Sequence, residues 1–342
     1  MIARFATRTK RVHLINPLWD PHGGSERRAV DTWWLLQPYC DVRLWSEYEP
    51  VPEVAVPVPV RRISPLALSI PFGGTLVFVG VYFRIGHWIR LARPERVVVI
   101  YNTDQPDRLA KNLDRIASSG KRAEVVATSP ALAQRLGRPL PLLESPIELS
   151  GFLAVRRPAR RTFTVGRLSR DEATKHHDED VDLYRLLASL GIRVRIMGGT
   201  CLAGALAGTP NIELLAAGAE DPATFLRSLD CFVYRTSSRW FEGFGRVVFE
   251  AMASGLPVVC HSRGGYATYL SNGRDGLLFD TSAQAVRRIL DLRANAQRRL
   301  ELGNAARHSA QRIVGEQLRI RTRQFLLAPS GVGVCLASAT AA

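Results

Sequence analysis

The stretch FEGFGRVVFEAMASGLPVV, residues 241–259, sets Glu242 and Glu250 at the two edges of an apolar run. Before it, DCFVY (230–234) is a short apolar run of the kind that makes a buried strand, and RTSSRWFEG (235–243) is a polar loop. After the loop, FGRVVFEAMASG (244–255) has helical periodicity that stops at Gly255, with Pro257 just beyond. In open α/β sheets ligands bind outside the carboxyl ends of the strands, which is where Glu242 falls. Gly243 and Gly245 let the backbone turn tightly and approach a ligand, and the free N–H groups of a helix start suit a phosphate. Glu250, between Phe249 and Ala251 and inside the helix, needs a partner that two adjacent hydroxyls would supply. One carboxylate for a sugar, a helix start for a diphosphate and a second carboxylate for a ribose together suggest a sugar nucleotide. The plainer alternative is two solvated glutamates on a helix surface.

Working outward, apolar runs alternate with helical patterns. RVHLIN (11–16), DVRLWS (41–46), RVVVIY (96–101) and EVVAT (124–128) read as strands, with helices near 25–37, 75–92, 106–118 and 129–137. After residue 160 the pattern restarts at TFTVG (162–166), RVRIM (193–197), NIELL (211–215), DCFVY and PVVC (257–260). Two such series imply two doubly wound α/β domains with parallel sheets, over 1–155 and 156–310. An arginine-rich helix over 311–328 is expected to pack back toward the first domain, and 329–342 reads as a frayed tail.

Of the 46 basic residues in this chain of net charge +15, only Lys10, Lys111, Lys121 and Lys175 are lysines. The surplus favours anionic partners without choosing among phosphorylated substrates, acidic lipid and nucleic acid. Five scattered cysteines without a CxxC pair argue against a disulfide framework or zinc site and suit a reducing cytoplasm. The first residues lack the apolar core of a secretory signal. ISPLALSIPFGGTLVFVGVYF (63–83) is uncharged and of spanning length, but Pro71, Gly73 and Gly74 interrupt it, so a buried loop and helix are expected instead.

EGFGRVVFEAMASGLPVV, followed by GGYATYLSNGRDGLLF (264–279), resembles the donor-site signature of the family-4 retaining glycosyltransferases, the glycosyl transferases group 1, which have the two-domain GT-B fold with domains facing across a cleft. The resemblance implies that Glu242 contacts the hydroxyls of the transferred sugar, that Glu250 holds the ribose, and that the backbone of Phe244, Gly245 and Arg246 lines the phosphates. In VGRLSRDEATKHH (165–177) it implies that Arg167 and Lys175 clasp the diphosphate, at a spacing slightly longer than the family's usual one. Lys175 is the only lysine after residue 121, a compact charge kept where arginine would fit badly. In NPLWDPHGGSERRAV (16–30), Gly23 and Gly24, followed by Ser25, Glu26 and Arg27, match the family's Gly-Gly loop near the donor. The family's first-domain histidine has no secure counterpart. IYNTDQPD (100–107) offers Asn102 and Asp104, His22 is the better exposed histidine, and His13 and His87 read as structural.

His176 and His177, or Asp178, Glu179 and Asp180, could be read as a metal site, but such clusters usually open a solvated helix. With two basic groups on the leaving diphosphate, neither metal nor cofactor is expected. FRIGHWIRLARPER (83–96) mixes Arg84, Arg90, Arg93 and Arg96 with Phe83 and Trp88. It reads either as a surface for anionic membrane or as an exposed arginine-rich face. The resemblance thus implies metal-independent, retaining transfer from a nucleotide-sugar donor to a glycan or lipid-linked acceptor. The expected setting is cell-surface glycan or glycolipid synthesis in the cytoplasm, with peripheral contact at the inner membrane face. Two alternatives stay open. One is a non-catalytic GT-B protein that binds a nucleotide or a partner. The other is a nucleic-acid-binding protein, which charge alone suggests and no motif supports.

Overall fold

A computed structural model describes residues 10–48, 57–84, 86–153 and 162–329. The start of the chain, most of the expected domain join and the expected tail beyond 329 lie outside these residues.

The chain divides into two compact units. The first contains the chain to Thr128, Leu136–Pro146 and the stretch from Arg319; the second contains Ser129–Arg135 and Ile147–Leu318. The first unit is built on one parallel sheet. Its strands are β1 (Arg11–Ile15), β2 (Asp41–Ser46), β3 (Val60–Arg62), β4 (Thr75–Val79), β5 (Arg96–Tyr101) and β6 (Ala123–Ala127), in the order β3-β2-β1-β4-β5-β6. The helix expected over 75–92 is a correction: Thr75–Val79 is the central strand β4, and the helix is only Trp88–Ala92. Leu76, Val77, Phe78 and Val79 are all buried. A strand covered on both faces reads as a continuous apolar run, which periodicity alone does not separate from a buried helix.

The second unit repeats the arrangement with β7 (Thr164–Leu168), β8 (Arg193–Met197), β9 (Ile212–Leu215), β10 (Cys231–Tyr234), β11 (Val258–His261) and β12 (Leu277–Phe279), ordered β12-β11-β10-β7-β8-β9. Alternate residues of its strands serve two cores. Phe232 and Tyr234 join Phe249 and Met252 on one face, while Cys231 and Val233 join Val165 and Ile196 on the other. The edge strands β3 and β12, three residues each, were too short to read as periodic patterns.

The last helix, Glu316–Leu327, places Phe325 and Leu326 in the core of the first unit with Val12, Leu14 and Val98. Arg96 fastens it, donating to the Phe325 carbonyl at 2.6 Å while pairing with Glu124 at 2.6 Å. The membrane reading of 83–96 changes accordingly. Arg96 is buried, and Phe83 and Trp88 turn inward beside Phe78. In 63–83, Pro65–Ala67 forms one 3-10 turn closed by a bridge between Ser64 and Ser69, and Leu66 and Leu68 stand on the surface. No helix among the described residues is long and apolar enough to cross a membrane.

Two histidines are sealed inside. His13 Nδ1 accepts from the Trp45 indole at 2.9 Å, its Nε2 lies 3.2 Å from the Phe72 carbonyl, and burial, helped by Arg43 and Arg11, lowers its pKa to about 4. His176 Nε2 lies 2.9 Å from the Gly198 carbonyl, and burial with the nearby Arg167 charge also lowers it to about 4. Both stay neutral in the fold, whereas the unfolded chain protonates them near 6.5. Their contribution is therefore present above pH 6.5 and is lost as pH falls toward 4. Taking the protein from pH 7 to pH 5 should lower its unfolding free energy by about 2 kcal/mol for each of these imidazoles. Urea titrations at the two pH values check this; equal midpoints would contradict it.

Candidate functional site

The strand order of the second unit reverses between β10 and β7, the position outside which open α/β sheets bind ligands. Two loops meet there. The loop after β7 carries Lys175 in the 3-10 turn Ala173–Lys175, and the loop after β10 carries Trp240, Glu242 and Gly243. The Ser237 N–H donates to the Thr174 carbonyl at 3.2 Å and ties the loops together.

Glu242 is the meeting point. Its Oε2 lies 2.7 Å from Lys175 Nζ and accepts from the Tyr234 hydroxyl at 3.0 Å. Burial alone would raise the pKa of this carboxyl, but Lys175 and Tyr234 hold it below the usual carboxylate range. Burial and the Glu242 charge push the Tyr234 phenol well up, so it remains a donor. The Lys175 ammonium also sits 5.2 Å over the Trp240 ring, whose buried indole N–H has no hydrogen-bond partner among the described residues. The arrangement is an ionised carboxylate, a clamped ammonium and an indole donor at one strand end.

Arg167 is close to this group but behind it. It is 1% exposed, and its guanidinium donates to Asp180 Oδ2 at 3.1 Å, to the Arg235 carbonyl at 2.9 Å and to the Lys175 carbonyl. It lies 5.0 Å over the Tyr234 ring. Burial would lower its pKa, yet Tyr184, Asp180 and Tyr234 raise it further, so the charge is kept. The expected pair of diphosphate clasps is therefore unequal. Lys175 meets Glu242 and Trp240, whereas Arg167 is committed to protein acceptors and lies behind the backbone of Lys175 and the ring of Tyr234. Asp180 is committed as well: it also receives Arg235 Nε at 2.6 Å and the His177 N–H at 2.9 Å. Glu179 accepts from Ser282, and His176 is walled in.

The segment from Glu242 to Glu250 is shaped by long-range contacts. The Gly265 N–H donates to the Glu242 carbonyl at 2.8 Å, and the Ser129 hydroxyl donates to the Gly243 carbonyl at 2.6 Å. Gly245 caps the helix Arg246–Ala253 with φ +76°, and a Cβ there would come within 2.6 Å of Tyr266. The Val248 N–H bonds back to the Gly245 carbonyl at 2.9 Å, and the amides before it precede the first i−4 acceptor of the helix. Phe244 stacks on Phe249 at 4.7 Å, which locks the turn onto the helix. Glu250 is fully buried one turn after Arg246 and on the same side of the helix. Thus Tyr234, Trp240, Glu242, Phe244, Gly245, Arg246 and Glu250 lie along one continuous strand–loop–helix segment, and Lys175 and Gly265 reach it from the loops after β7 and β11. Tyr234 is hidden inside a strand pattern, and the approach of Gly265 to Gly243 joins loops distant in sequence.

Gly23 and Gly24 belong to the first unit. Gly23 is the N-cap of the helix Gly24–Leu36, and a Cβ on it would meet the Glu26 carboxylate at 2.0 Å. The Asn16 amide donates to the Ser25 hydroxyl and to the Val79 carbonyl, each at 2.8 Å. Asn102 lies beside Gly80, and Asp104 lies 3.4 Å from the Tyr101 hydroxyl, so the ends of β1, β4 and β5 converge there. His22 and His87 are exposed, and His13 is structural.

A methyl group at Gly265 would sit 1.9 Å from the Gly243 carbonyl oxygen, so the backbone must shift. Gly265→Ala should destabilise the protein by about 1–3 kcal/mol, seen as a fall of several degrees in thermal midpoint. An unchanged midpoint would show that the Glu242 loop is not held in this way.

Residues 156–309 match the family profile of the glycosyl transferases group 1. Over 88 residues the chain is 36% identical to spore coat protein SA of Bacillus subtilis (strain 168), an overlap of 25% of this chain and 23% of that protein. Over 55 residues it is 46% identical to the D-inositol 3-phosphate glycosyltransferase of Nocardioides sp. (strain ATCC BAA-499 / JS614), covering 15% of this chain and 12% of that one. The matched stretches thus span less than a quarter of either relative. Among solved structures, Anabaena Alr3699/HepE in complex with UDP-glucose superposes with a TM-score of 0.69 at 15% identity, covering 92% of this chain and 98% of that one, a likeness of fold. Two parallel six-stranded sheets of the same strand order make the architecture GT-B, and residues 156–309, within its second unit, are similar to the glycosyl transferases group 1.

Proposed function

We propose that this chain is a retaining glycosyltransferase of the family-4 type. It would transfer a sugar from a nucleoside diphosphate to an acceptor hydroxyl. The observation that carries the reading is the convergence of Lys175 and Tyr234 on Glu242, one loop before the αL turn that opens the helix at Arg246. A departing diphosphate develops negative charge. The Lys175 ammonium and the first-turn amides around Phe244, Gly245 and Arg246 are preorganised donors for it. Lys175 has three N–H groups, so it can hold Glu242 and a phosphate oxygen together. Glu242 Oε2 is engaged by the protein, which leaves Oε1 for hydroxyls of the transferred sugar. Glu250, further along the same helix, takes the ribose. Arg167 acts through Lys175 and Tyr234 as a positioning residue. Charge neutralisation by these groups gives the leaving diphosphate its counter-charge without assigning a metal or cofactor a role. UDP-glucose bound to the fold relative supports a nucleotide sugar as donor.

The acceptor is proposed to be a glycan or a lipid-linked saccharide in cell-surface glycan synthesis, handled at the cytoplasmic membrane face. The surface supporting membrane contact is the turn around Leu66 and Leu68, 101% and 86% exposed, with Phe72 half exposed and the exposed Arg61 and Arg62 beside it. Apolar tips backed by arginines match an anionic bilayer interface.

Lys175→Ala should lower kcat about a hundredfold, the usual effect of losing one preorganised donor of about 3 kcal/mol. Glu250→Ala should raise KM for the donor roughly 10- to 100-fold with a smaller change in kcat, as one charged hydrogen bond of about 1.5–3 kcal/mol is lost. Hydrolysis and transfer assays with a panel of nucleotide sugars read both; activity within a few-fold of the parent in both variants would refute the assignment. A protein that binds donor through Glu250 and never turns over would be the non-catalytic alternative. For the membrane contact, Leu66→Ser with Leu68→Ser should cut sedimentation with phosphatidylglycerol vesicles several-fold and leave donor turnover intact. Undiminished sedimentation would place the contact elsewhere.

A further inference from the structure

The carboxyl edge of the first sheet carries a second group of side chains that the donor chemistry does not use. Trp19 lies in the loop after β1, Tyr48 just after β2 and Tyr82 just after β4. The Trp19 ring is 5.1 Å from Tyr48, edge on, and 6.1 Å from Tyr82. Arg84 lies 4.9 Å over Tyr48, and Arg108, on the helix Pro106–Ser118 after β5, lies 4.7 Å over Tyr82. Both arginines are exposed, and Trp19 is 45% exposed.

The loop is built to hold Trp19 outward. Leu18 has φ +53°, a left-handed conformation that costs a bulky residue of order 1 kcal/mol or more, and its N–H is held by Asn16 Oδ1 at 2.9 Å. That turn drives Leu18 fully into the core and leaves the larger, more apolar-surfaced Trp19 at the rim. Apolar surface left in water is unfavourable unless something covers it. On the rim side, the Arg84 backbone is fixed by the Glu47 carboxylate, whose pKa is raised by burial to about 7. The two guanidinium groups are thereby stacked in place, which reduces the entropy lost when they bind an anion.

We propose that Trp19, flanked by Tyr48 and Tyr82, is the stacking platform of the acceptor subsite and that the acceptor is an anionic saccharide. One face of its pyranose ring lies on Trp19, and its phosphate or carboxylate meets Arg84 and Arg108. An indole face suits the C–H face of a sugar ring, and the arginine forks suit either anion bidentately. This deepens the transferase reading and rests on it for the word acceptor. The binding itself is independent of the donor.

Titration calorimetry on the full chain, without donor, tests it with three probes: methyl α-D-glucoside, α-D-glucose 1-phosphate and D-glucuronate. The two anionic sugars should bind at least about tenfold more tightly than the neutral one, the effect of one charge-assisted contact. Trp19→Ala should weaken all three about tenfold, and Trp19→Phe should restore part of the loss. Arg84→Gln with Arg108→Gln should remove the preference for anionic sugars and leave methyl glucoside unchanged. Whichever anionic sugar binds more tightly identifies the anion as phosphate or carboxylate. No binding of any probe, or variants that bind as the parent does, overturns the proposal. Nucleotide-sugar affinity, measured in the same variants, should be unaltered. Saccharide binding in a protein that binds no nucleotide sugar would sink the transferase reading while leaving the platform in place.

Discussion

The ion pair between Lys175 and Glu242 is the contact around which the loops at the carboxyl edge of the second sheet are arranged. At 2.7 Å, with both side chains largely withdrawn from water, it cannot be treated as a surface pair. Removing one partner from such a pair leaves the other charge uncompensated, which costs far more than the attraction itself. The surroundings are arranged to keep both charges present. Tyr234 adds a hydroxyl to the carboxylate, Trp240 offers its ring to the ammonium, and Arg167 grips the Lys175 carbonyl from behind. The Arg167 charge is in turn balanced by Asp180, which Arg235 shares. A network of ion pairs and hydrogen bonds therefore runs from Arg235, Asp180 and Arg167 in the interior through the Lys175 backbone to the Lys175–Glu242 pair at the carboxyl edge.

The two units reach their sites by the same topology. In each, strand order reverses beside the first strand, the position outside which open α/β sheets bind ligands. In the second unit that place is filled by charged groups and by a helix start with an αL glycine. In the first unit it is filled by amides and aromatic rings: Asn16 bracing Ser25 and β4, Asn102 beside Gly80, and Trp19 against two tyrosines. One architecture thus carries a charged group in one unit and an aromatic and amide group in the other, and the difference lies in the loop residues.

The legible part of the sequence was the local part. Glu242, Gly245 and Glu250 stand in one strand–loop–helix unit whose spacing carries its own geometry, and Lys175 stood out because lysine is scarce here. What depended on distant partners was not legible. Arg167 looked like a ligand contact because its neighbourhood in sequence is a loop, but Asp180 and the Arg235 carbonyl claim its guanidinium. Gly265 gave no sign of lying against Gly243, since the constraint joins two loops from different strands. Strand β4 reads as helix in the sequence because burial on both faces erases the alternation that marks a strand. The outward display of Trp19 is not legible in sequence, because it depends on the left-handed turn at Leu18.

Amide hydrogen exchange with and without a nucleotide sugar tests the central claim most directly, because it reports the place of binding rather than its consequences. The N–H groups at residues 244–247, where the helix begins without internal acceptors, should slow on addition of donor, together with the 173–176 turn that carries Lys175. Protection confined to other parts of the chain, or none at saturating nucleotide sugar, would contradict a donor site at the carboxyl edge of β7 and β10.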